Sequence, residues 1–519
     1  MVTTECEPQV LEAVAGKINA TYTVTFPEKY FAKKAILEIT PVLVYEGGEI
    51  KGDVLTLQGE GILENNRVVS YEQGATISTP VVFDYAEGVE KATLELRATV
   101  YNKARTKKAE VPEPFKIADG TNTTYMLVNT MGTPSFEADK YQKIIPETKE
   151  AQILYLINSY DVRRNQLKTD EIKAFEQYLK DVKADERRTL KSNDIIAYAS
   201  PDGGEKLNTK LSDNRGKSAE KAFNRTINKE AKVDAPVNVK SVGQDWEGFQ
   251  ELVSGSDIED KELILRVLSM YSDPAVREKE IKNMSSVYEV LADEILPELR
   301  RARFIANVEY KNYTDEELLD IIATDMDLLD EEALLYTATL VESNDVKTTI
   351  YETAASKFNS DRAYNNLAAV KLSEGKTADA KAALNKMSEK TESYYNNMAV
   401  VAMQEKDFEA AAEMLQKSGL AEAKLNQAAL DILNGKYQAA VEALSGSNTV
   451  NEALANILVK NEAKAQSILT GDCPCQAYMR AIIAARKGDA ATANKELETA
   501  KKSEQLAKRA ETDIEFAKL

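Results

Sequence analysis

The stretches YNNLAAVKLSEGKTADAKAAL (364–384) and YNNMAVVAMQEKDFEAAAEML (395–415) decide the fold of the C-terminal part of the chain, because they align without a gap. In each stretch, one alanine precedes another by twelve residues, and a leucine follows four residues later. Small residues let two helices approach closely, and a leucine fills the space against the next pair of helices. The two stretches therefore predict stacked helix hairpins.

The same spacing occurs five times between residues 364 and 497. The paired positions are Ala368/Ala380, Ala399/Ala411, Ala428/Ala440, Ala453/Ala465 and Ala481/Ala493, followed by Leu384, Leu415, Leu444, Leu469 and Leu497. A solenoid is built in this way, with each unit packing against its neighbours. We therefore expect a helical solenoid over residues 314–519.

These units resemble tetratricopeptide repeats. Leu367–Ala368 and Met398–Ala399 stand at the family's Leu–small pair, and Ala380 and Ala411 stand at its second-helix alanine. The units are shorter than the usual period of about 34 residues, and the closing proline of the family is missing. The resemblance implies a helical scaffold that binds protein partners.

Residues 1–125 show the two-residue period of β-strands instead. Apolar residues alternate from Ala20 to Phe26 and again from Ala92 to Val100, and Gly or Pro residues break the runs between them. Short strands without intervening helices predict an antiparallel β-sandwich. A domain of this kind commonly offers a docking surface to protein partners.

Residues 126–313 mix strands and helices. A strand pattern at 152–158 is followed by a helix with an apolar stripe (Ile172, Phe175, Leu179 and Val182), and further strand and helix patterns alternate after it. A late strand begins near residue 301, after a helical insertion at about 245–299. This order predicts an α/β sandwich with one covered sheet face. Three arginines near the late strand (Arg300, Arg301 and Arg303) either contact acidic neighbours or, on the simpler interpretation, form a solvated edge that discourages strand pairing.

The stretch IIAYASPDGGEKLNTKLSDNRGKSAEKAF (195–223) predicts a strand, a Gly-containing loop and a helix. Within it, Asn208, Leu211, Ser212, Arg215 and Gly216 match the Asn-x-x-Leu-Ser-x-x-Arg pattern of the OmpA C-terminal-like domain, which binds peptidoglycan. The resemblance covers mainly residues 150–243. The insertion after it is similar to a variant of this domain found in Bacteroidetes envelope proteins.

The resemblance implies a peptidoglycan site made of Arg215, Asp202, Ser200 and Asn208. In the family, the helix arginine holds the diaminopimelate carboxylate, and an aspartate fifteen residues earlier holds its ammonium group. A bidentate guanidinium suits a carboxylate. Arg215 fills the arginine position, but Ser200 stands where the aspartate is expected, and Asp202 is the nearest acid.

Three interpretations of this site remain open at this point. Asp202 replaces the missing carboxylate; or Ser200 serves as a neutral hydrogen-bonding partner in a weaker site or one for a different peptide stem; or the fold persists without the ligand, and Arg215 only caps a surface carboxylate.

Composition excludes several classes of function. The chain of 519 residues has 66 basic and 85 acidic residues, a net charge of −19, which disfavours nucleic acid and anionic lipid as partners. It has no histidine, which excludes Ser-His-Asp catalysis and His-ligated zinc. We therefore expect no enzyme activity, no metal site and no cofactor. Cys473 and Cys475 are either a local redox pair or two half-buried residues in an inter-helix turn.

The expected location is the periplasm, in association with the outer membrane. No run of 18 apolar residues predicts a transmembrane helix, and we expect that a signal peptide has been removed ahead of MVTTECEP. The predicted function is a non-enzymatic envelope scaffold that anchors to or faces peptidoglycan and binds protein partners at the outer membrane. The alternative is a periplasmic chaperone, or an accessory subunit of an outer-membrane assembly or secretion complex, whose OmpA-like domain no longer binds peptidoglycan.

Overall fold

The structure is a computed structural model that describes residues 1–283 and 285–519, and it divides into two compact units. The first unit contains Met1–Asp139 and Leu329–Leu519, and the second contains Lys140–Leu328. The chain therefore leaves the first unit after residue 139 and returns to it at residue 329. This division differs from the three segments expected from the sequence, 1–125, 126–313 and 314–519.

Contacts at the two crossing points explain the difference. Residues 129–137 are hydrogen-bonded to helices beyond residue 360, so they belong to the first unit. The helix Asp315–Thr324 belongs to the second unit, because Arg187 Nη2 lies 2.7 Å from Glu317 Oε1.

The N-terminal part of the first unit is rich in β-structure. Its strands are β1 (Thr3–Val14), β2 (Lys17–Phe26), β3 (Ala35–Tyr45), β4 (Gly48–Lys51), β5 (Leu55–Gly59), β6 (Arg67–Val69), β7 (Ala75–Asp84), β8 (Thr93–Asn102), β9 (Lys108–Glu110), β10 (Phe115–Asp119) and β11 (Thr121–Asn122). One sheet has the order β11-β1-β2-β7. The other has the order β10-β8-β3-β5-β6, with β4 on β3 and β9 on β8.

Both sheets are mixed, whereas the sequence predicts antiparallel strands throughout. The pairs β1–β11 and β5–β6 are parallel. Gly120, at φ +77°, lets the chain turn from β10 in one sheet to β11 in the other, where β11 runs beside β1 in the same direction. Alternate apolar residues of the two sheets, such as Tyr22 and Leu94, share one buried cluster.

The second unit contains β12 (Ile144–Leu154), α1 (Asp170–Ala184), β13 (Arg188–Ala199), α2 (Glu205–Ala222), α3 (Asn228–Ala231), β14 (Val237–Gln244), α4 (Trp246–Gly255), α5 (Lys261–Met270), α6 (Pro274–Asn283), α7 (Ser285–Val290), β15 (Arg301–Lys311) and α8 (Asp315–Thr324). The sheet order is β12-β15-β13-β14, in which β13 and β14 are parallel and the other pairs antiparallel. Helix α1 begins where Thr169 Oγ1 accepts a hydrogen bond from Ile172 N, and its whole predicted stripe is buried.

The C-terminal part of the first unit contains helices and loops and no described strand, as the sequence predicts. Its helices are α9 (Glu331–Leu340), α10 (Asn344–Phe358), α11 (Asp361–Ser373), α12 (Thr377–Leu384), α13 (Glu392–Gln404), α14 (Phe408–Leu415), α15 (Ala421–Leu433), α16 (Tyr437–Leu444), α17 (Val450–Leu458), α18 (Glu462–Ile468), α19 (Pro474–Arg486), α20 (Ala490–Ala500) and α21 (Glu504–Ala510). All ten alanines of the repeated pattern are 0% exposed. Alanine at these positions therefore permits close contact between the two helices of each pair.

The last residues of the chain join the β-rich part to the helices. In the short 3₁₀ turn Ile514–Phe516, the Glu515 carboxylate accepts hydrogen bonds of 2.8 Å from both Asn122 and Thr124. The same carboxylate forms an ion pair with Arg486 of α19. These contacts, together with a common apolar cluster, make the two ends of the chain one compact unit.

Candidate functional site

The loop between β13 and α2 is closed by the side chain of Asn208. Its Nδ2 donates hydrogen bonds to the carbonyl oxygens of Ser200 at 2.9 Å and Gly203 at 2.7 Å. Asn208 is 3% exposed. Because both amide hydrogens are used to hold the loop, Asn208 fixes the shape of the loop, and its amino group has no donor left for a ligand.

Arg215 lies inside the second unit and is only 1% exposed. Its Nε donates to the Ser159 carbonyl at 2.9 Å, Nη1 donates to the Tyr198 carbonyl at 2.9 Å, and Nη2 donates to the Leu156 carbonyl at 3.2 Å. Its guanidinium carbon also lies 5.1 Å from the centre of the Tyr155 ring. The guanidinium thus holds the end of β13 and the loop after β12 together.

The pKa of Arg215 is lowered to about 10, mainly by burial and to a smaller extent by the nearby charge of Arg300, while Tyr155 and Asp202 act in the opposite direction. The group is still cationic at neutral pH. In the described part of the chain, this guanidinium forms no ion pair with a carboxylate. Its charge is balanced by carbonyl dipoles and by the face of Tyr155.

Asp202 forms an ion pair with Arg300, which lies just after the insertion. Arg300 Nη2 lies 3.1 Å from Asp202 Oδ2, and the two side chains are 12% and 14% exposed. Ser200 Oγ donates to Asp202 Oδ1 at 2.5 Å and accepts a hydrogen bond from Arg300 Nε at 3.3 Å. Lys282 Nζ also donates to the Asp202 carbonyl. Asp202, Ser200 and Arg300 therefore form a closed, half-buried cluster.

Arg300 and Arg301 are largely buried and paired with acids, which is the contact with acidic neighbours that the sequence left open rather than a solvated edge, whereas Arg303 is half-exposed. Arg301 is paired with Asp245, whose side chain is 2% exposed, through an Nη2–Oδ2 contact of 2.9 Å. The same carboxylate caps α4 by accepting from Gly248 N, and burial raises its pKa. The acids sit in loops before distant helices, so sequence spacing does not reveal that the arginines are paired.

The structure brings three of the four predicted site residues into direct contact. Ser200 contacts both Asn208 and Asp202, whereas Arg215 faces backbone carbonyls. The cavity between Pro201 and the insertion helices has a volume of about 10 Å³, which is enough for about one water molecule. This corner is therefore internally satisfied.

A second site was missed by the sequence analysis. Residues 129–137, which we call the strap, run along the first helices of four consecutive helix pairs. Four strap residues each exchange two hydrogen bonds with one asparagine: the backbone N–H donates to the side-chain oxygen, and the side-chain amide donates to the backbone carbonyl. The pairs are Asn129 with Asn451, Thr133 with Asn426, Ser135 with Asn397, and Glu137 with Asn366, at 2.6–2.9 Å.

Two of these asparagines also donate to an asparagine of the preceding first helix. Asn397 Nδ2 donates to Asn365 Oδ1 at 2.9 Å, and Asn426 Nδ2 donates to Asn396 Oδ1 at 2.9 Å. The asparagines at 365, 396, 397 and 426 are all at most 2% exposed. A buried amide is costly unless it is bonded. The Asn–Asn doublets at the same place in two aligned repeats were the available signal, because polar pairs are unexpected within so apolar a helix.

Two further observations concern the part of the chain that the structure describes. Nowhere in it do three or more Cys, Asp or Glu side chains converge in a way that could hold a metal ion. None of its helices combines the length and apolar character that crossing a membrane requires.

Comparison with known proteins does not identify a family or a function for this chain. No family model matches the chain, and no curated protein matches it. One solved structure that matches is titled "X-ray structure of Northeast Structural Genomics Consortium target SoR45". It is 14% identical, the match covers 23% of this chain and 85% of that chain, and the TM-score is 0.16. A likeness of this size carries no argument about fold or function.

Proposed function

We propose that this chain is a non-enzymatic scaffold of the bacterial cell envelope, an accessory subunit whose OmpA-like central domain does not bind peptidoglycan through Arg215. The observation that carries the proposal is the buried Arg215 guanidinium, which donates to three backbone carbonyls of its own unit. Of the two functions expected from the sequence, this observation favours the alternative.

The energies involved explain why this arrangement disfavours a ligand. A carboxylate that bound Arg215 in a bidentate manner would have to replace bonds that the guanidinium already makes. Each hydrogen bond to a charged group contributes about 1.5–3 kcal/mol. A ligand held at micromolar affinity gains only about 8 kcal/mol in total. Loss of two or three internal bonds would therefore cost about 3–9 kcal/mol, which is comparable with the whole binding energy of such a ligand.

Asp202 is equally poorly placed to take the ammonium group of such a ligand. It is already paired with Arg300 and accepts a hydrogen bond from Ser200. An incoming ammonium would have to displace a guanidinium that is 12% exposed and held by two contacts. Removing one partner from a buried pair is costly, because the other charge is left uncompensated.

The helical part supports a scaffold more than a chaperone. A client site for unfolded chains would need an exposed apolar face. The face made by the first helices is instead lined by asparagine amides and covered by the strap. The periplasmic, outer-membrane location is part of the proposal. It rests on the resemblance of residues 150–243 to OmpA C-terminal-like domains.

Co-sedimentation with purified peptidoglycan tests the proposal. We expect the wild type to stay in the supernatant, as do Arg215→Ala and the control Arg225→Ala, which removes an exposed arginine of the next helical turns. The proposal is refuted if the wild type sediments and only Arg215→Ala abolishes sedimentation while retaining the wild-type circular dichroism spectrum.

A second experiment addresses the scaffold role itself. The chain is purified from the native envelope with its associated outer-membrane proteins, before and after digestion of peptidoglycan with a muramidase. We expect the same proteins in both samples, since the association is through protein contacts. Loss of the associated proteins after digestion would show that peptidoglycan, not this scaffold, connects them.

A further inference from the structure

The sequence Cys473-Pro474-Cys475 stands at the start of α19, and its two sulfur atoms are in contact. The Sγ–Sγ distance is 2.7 Å, and both cysteines are exposed. The remaining cysteine of the chain, Cys6, is buried in β1 at 6% exposure. We propose that Cys473 and Cys475 form a thiol–disulfide exchange site whose substrate is an accessible organic disulfide, RS–SR.

The turn that carries the two thiols is held in place by side chains of α19. Gln476 Oε1 accepts a hydrogen bond from Gly471 N at 2.7 Å. Arg480 Nη1 donates to the carbonyls of Leu469 at 3.1 Å and Gly471 at 2.8 Å. Pro474 at the first helical position has its backbone angle set by its ring. The two sulfur atoms are therefore presented by a fixed turn at the surface.

The two thiols differ in the way that such an exchange requires. Partial desolvation by the surrounding atoms, together with the hydrogen bond to Cys473, raises the pKa of the exposed Cys475 thiol to about 11. Burial alone would also raise the pKa of Cys473, but the hydrogen bond from Cys475, backbone N–H groups and the charge of Arg480 together lower it. Cys473 is thus the thiolate that attacks, and Cys475 is the thiol that resolves the intermediate.

The exchange has two balanced steps. The Cys473 thiolate attacks one sulfur of RS–SR, a new S–S bond forms, and one RS⁻ leaves with the electron pair. Cys475 then loses its proton and attacks Cys473 Sγ, which releases the second RS⁻. The two thiol protons end on the two leaving groups, so two electrons pass from the protein to the substrate.

The Cys473–Cys475 disulfide that results is suited to exchange rather than to stabilisation of the fold. A disulfide stabilises a protein more as the loop that it closes lengthens, and residues 473 and 475 are only two positions apart. Exposed disulfides are also the labile ones. We therefore expect the bond to form and break reversibly without unfolding the helices.

The test uses the reduced full chain, oxidised glutathione as the probe, and intact mass spectrometry after an acid quench. The wild type is expected to lose two hydrogen atoms and to retain no glutathione, and so is the control Cys6→Ser. Cys475→Ser is expected to stop at one glutathione adduct on Cys473. Cys473→Ser is expected to react at least about tenfold more slowly at pH 7, because its remaining thiol has the higher pKa.

Two results would overturn the inference. The first is a wild type that accumulates two glutathione adducts and forms no internal disulfide. The second is equal reaction rates for Cys473→Ser and Cys475→Ser. Either result would mean that the two residues react as independent surface thiols. Neither result depends on the proposed scaffold function.

Discussion

Replacement of Asn397 by alanine should release the strap at its most buried point. Asn397 is 0% exposed and Ser135, its partner, is 2% exposed. The substitution removes the acceptor of the Ser135 N–H and the donor to Asn365 Oδ1. The Ser135 carbonyl keeps a bond of 3.1 Å from Asn365 Nδ2. Two buried polar atoms are therefore left without these partners.

The expected magnitude follows from these two atoms. Each buried group without a partner costs about 1–3 kcal/mol. Opening the strap returns the Ser135 N–H to water, so we expect the free energy of local opening to fall by about 2–3 kcal/mol. Since every 1.4 kcal/mol is a factor of ten, the strap should open about 30- to 140-fold more often than in the wild type.

Hydrogen exchange followed by mass spectrometry measures this opening in the peptide that spans residues 129–137. Asn397→Ala should accelerate exchange by the factor given above. Asn451→Ala should have a smaller effect, because its bonds to Asn129 are exposed. The matched control is Asn494→Ala, an exposed asparagine of α20. The reasoning fails if exchange in Asn397→Ala matches the wild type, or if Asn494→Ala accelerates it equally.

Three further predictions concern the charged groups. Arg300→Ala removes the ion-pair partner of the half-buried Asp202 and should lower the unfolding free energy of the second unit by about 2–4 kcal/mol. Urea titration measures this change through the fluorescence of Trp246, the single tryptophan of the chain. An unchanged urea midpoint would contradict the prediction. Glu515→Gln should lower the melting temperature of the first unit, measured by circular dichroism, because it removes a 7%-exposed ion-pair partner. Glu452, buried but bonded to backbone N–H groups, has a pKa below its usual 4.5. The ionised Glu452 carboxylate therefore stabilises the fold above pH 4.5, and this stabilisation is lost as the pH falls through the lowered pKa of the folded state. We expect Glu452→Gln to be less stable than the wild type at pH 7 and to approach the stability of the wild type in acid.

The helical and strand patterns could be predicted because burial repeats along the sequence. Alanines twelve residues apart mark positions where only a small side chain fits, and they are buried as expected. A pattern of this kind depends only on neighbours along the chain, so one sequence is enough to detect it. The mixed sheets were not predictable in the same way, because β6 and β11 have only three and two residues and carry no alternation.

The residues of the candidate site could be proposed from the sequence, but their contacts could not. Arg215 was proposed from a resemblance in sequence, and its partners in the structure are the backbone carbonyls of residues 156, 159 and 198. Every residue has a backbone carbonyl, so the residue types at these positions do not indicate the contacts. The partner of Asp202 is 98 positions away, beyond the insertion. The Asn–Asn doublets are visible in the sequence, but the sequence does not show that these asparagines bind the strap.

The strap and the Glu515 contacts also determine when the first unit can be finished. The strap is 229 to 322 positions away from its asparagines, and Asn122 is 393 positions from Glu515. Contacts of such long range in sequence slow folding. A ribosome makes the β-rich part first and the turn that ties it down last, with the whole second unit in between. During synthesis, the first 139 residues therefore lack their packing partners until the later helices have been made, and a chain that stops short of the Glu515 turn leaves the first unit incomplete.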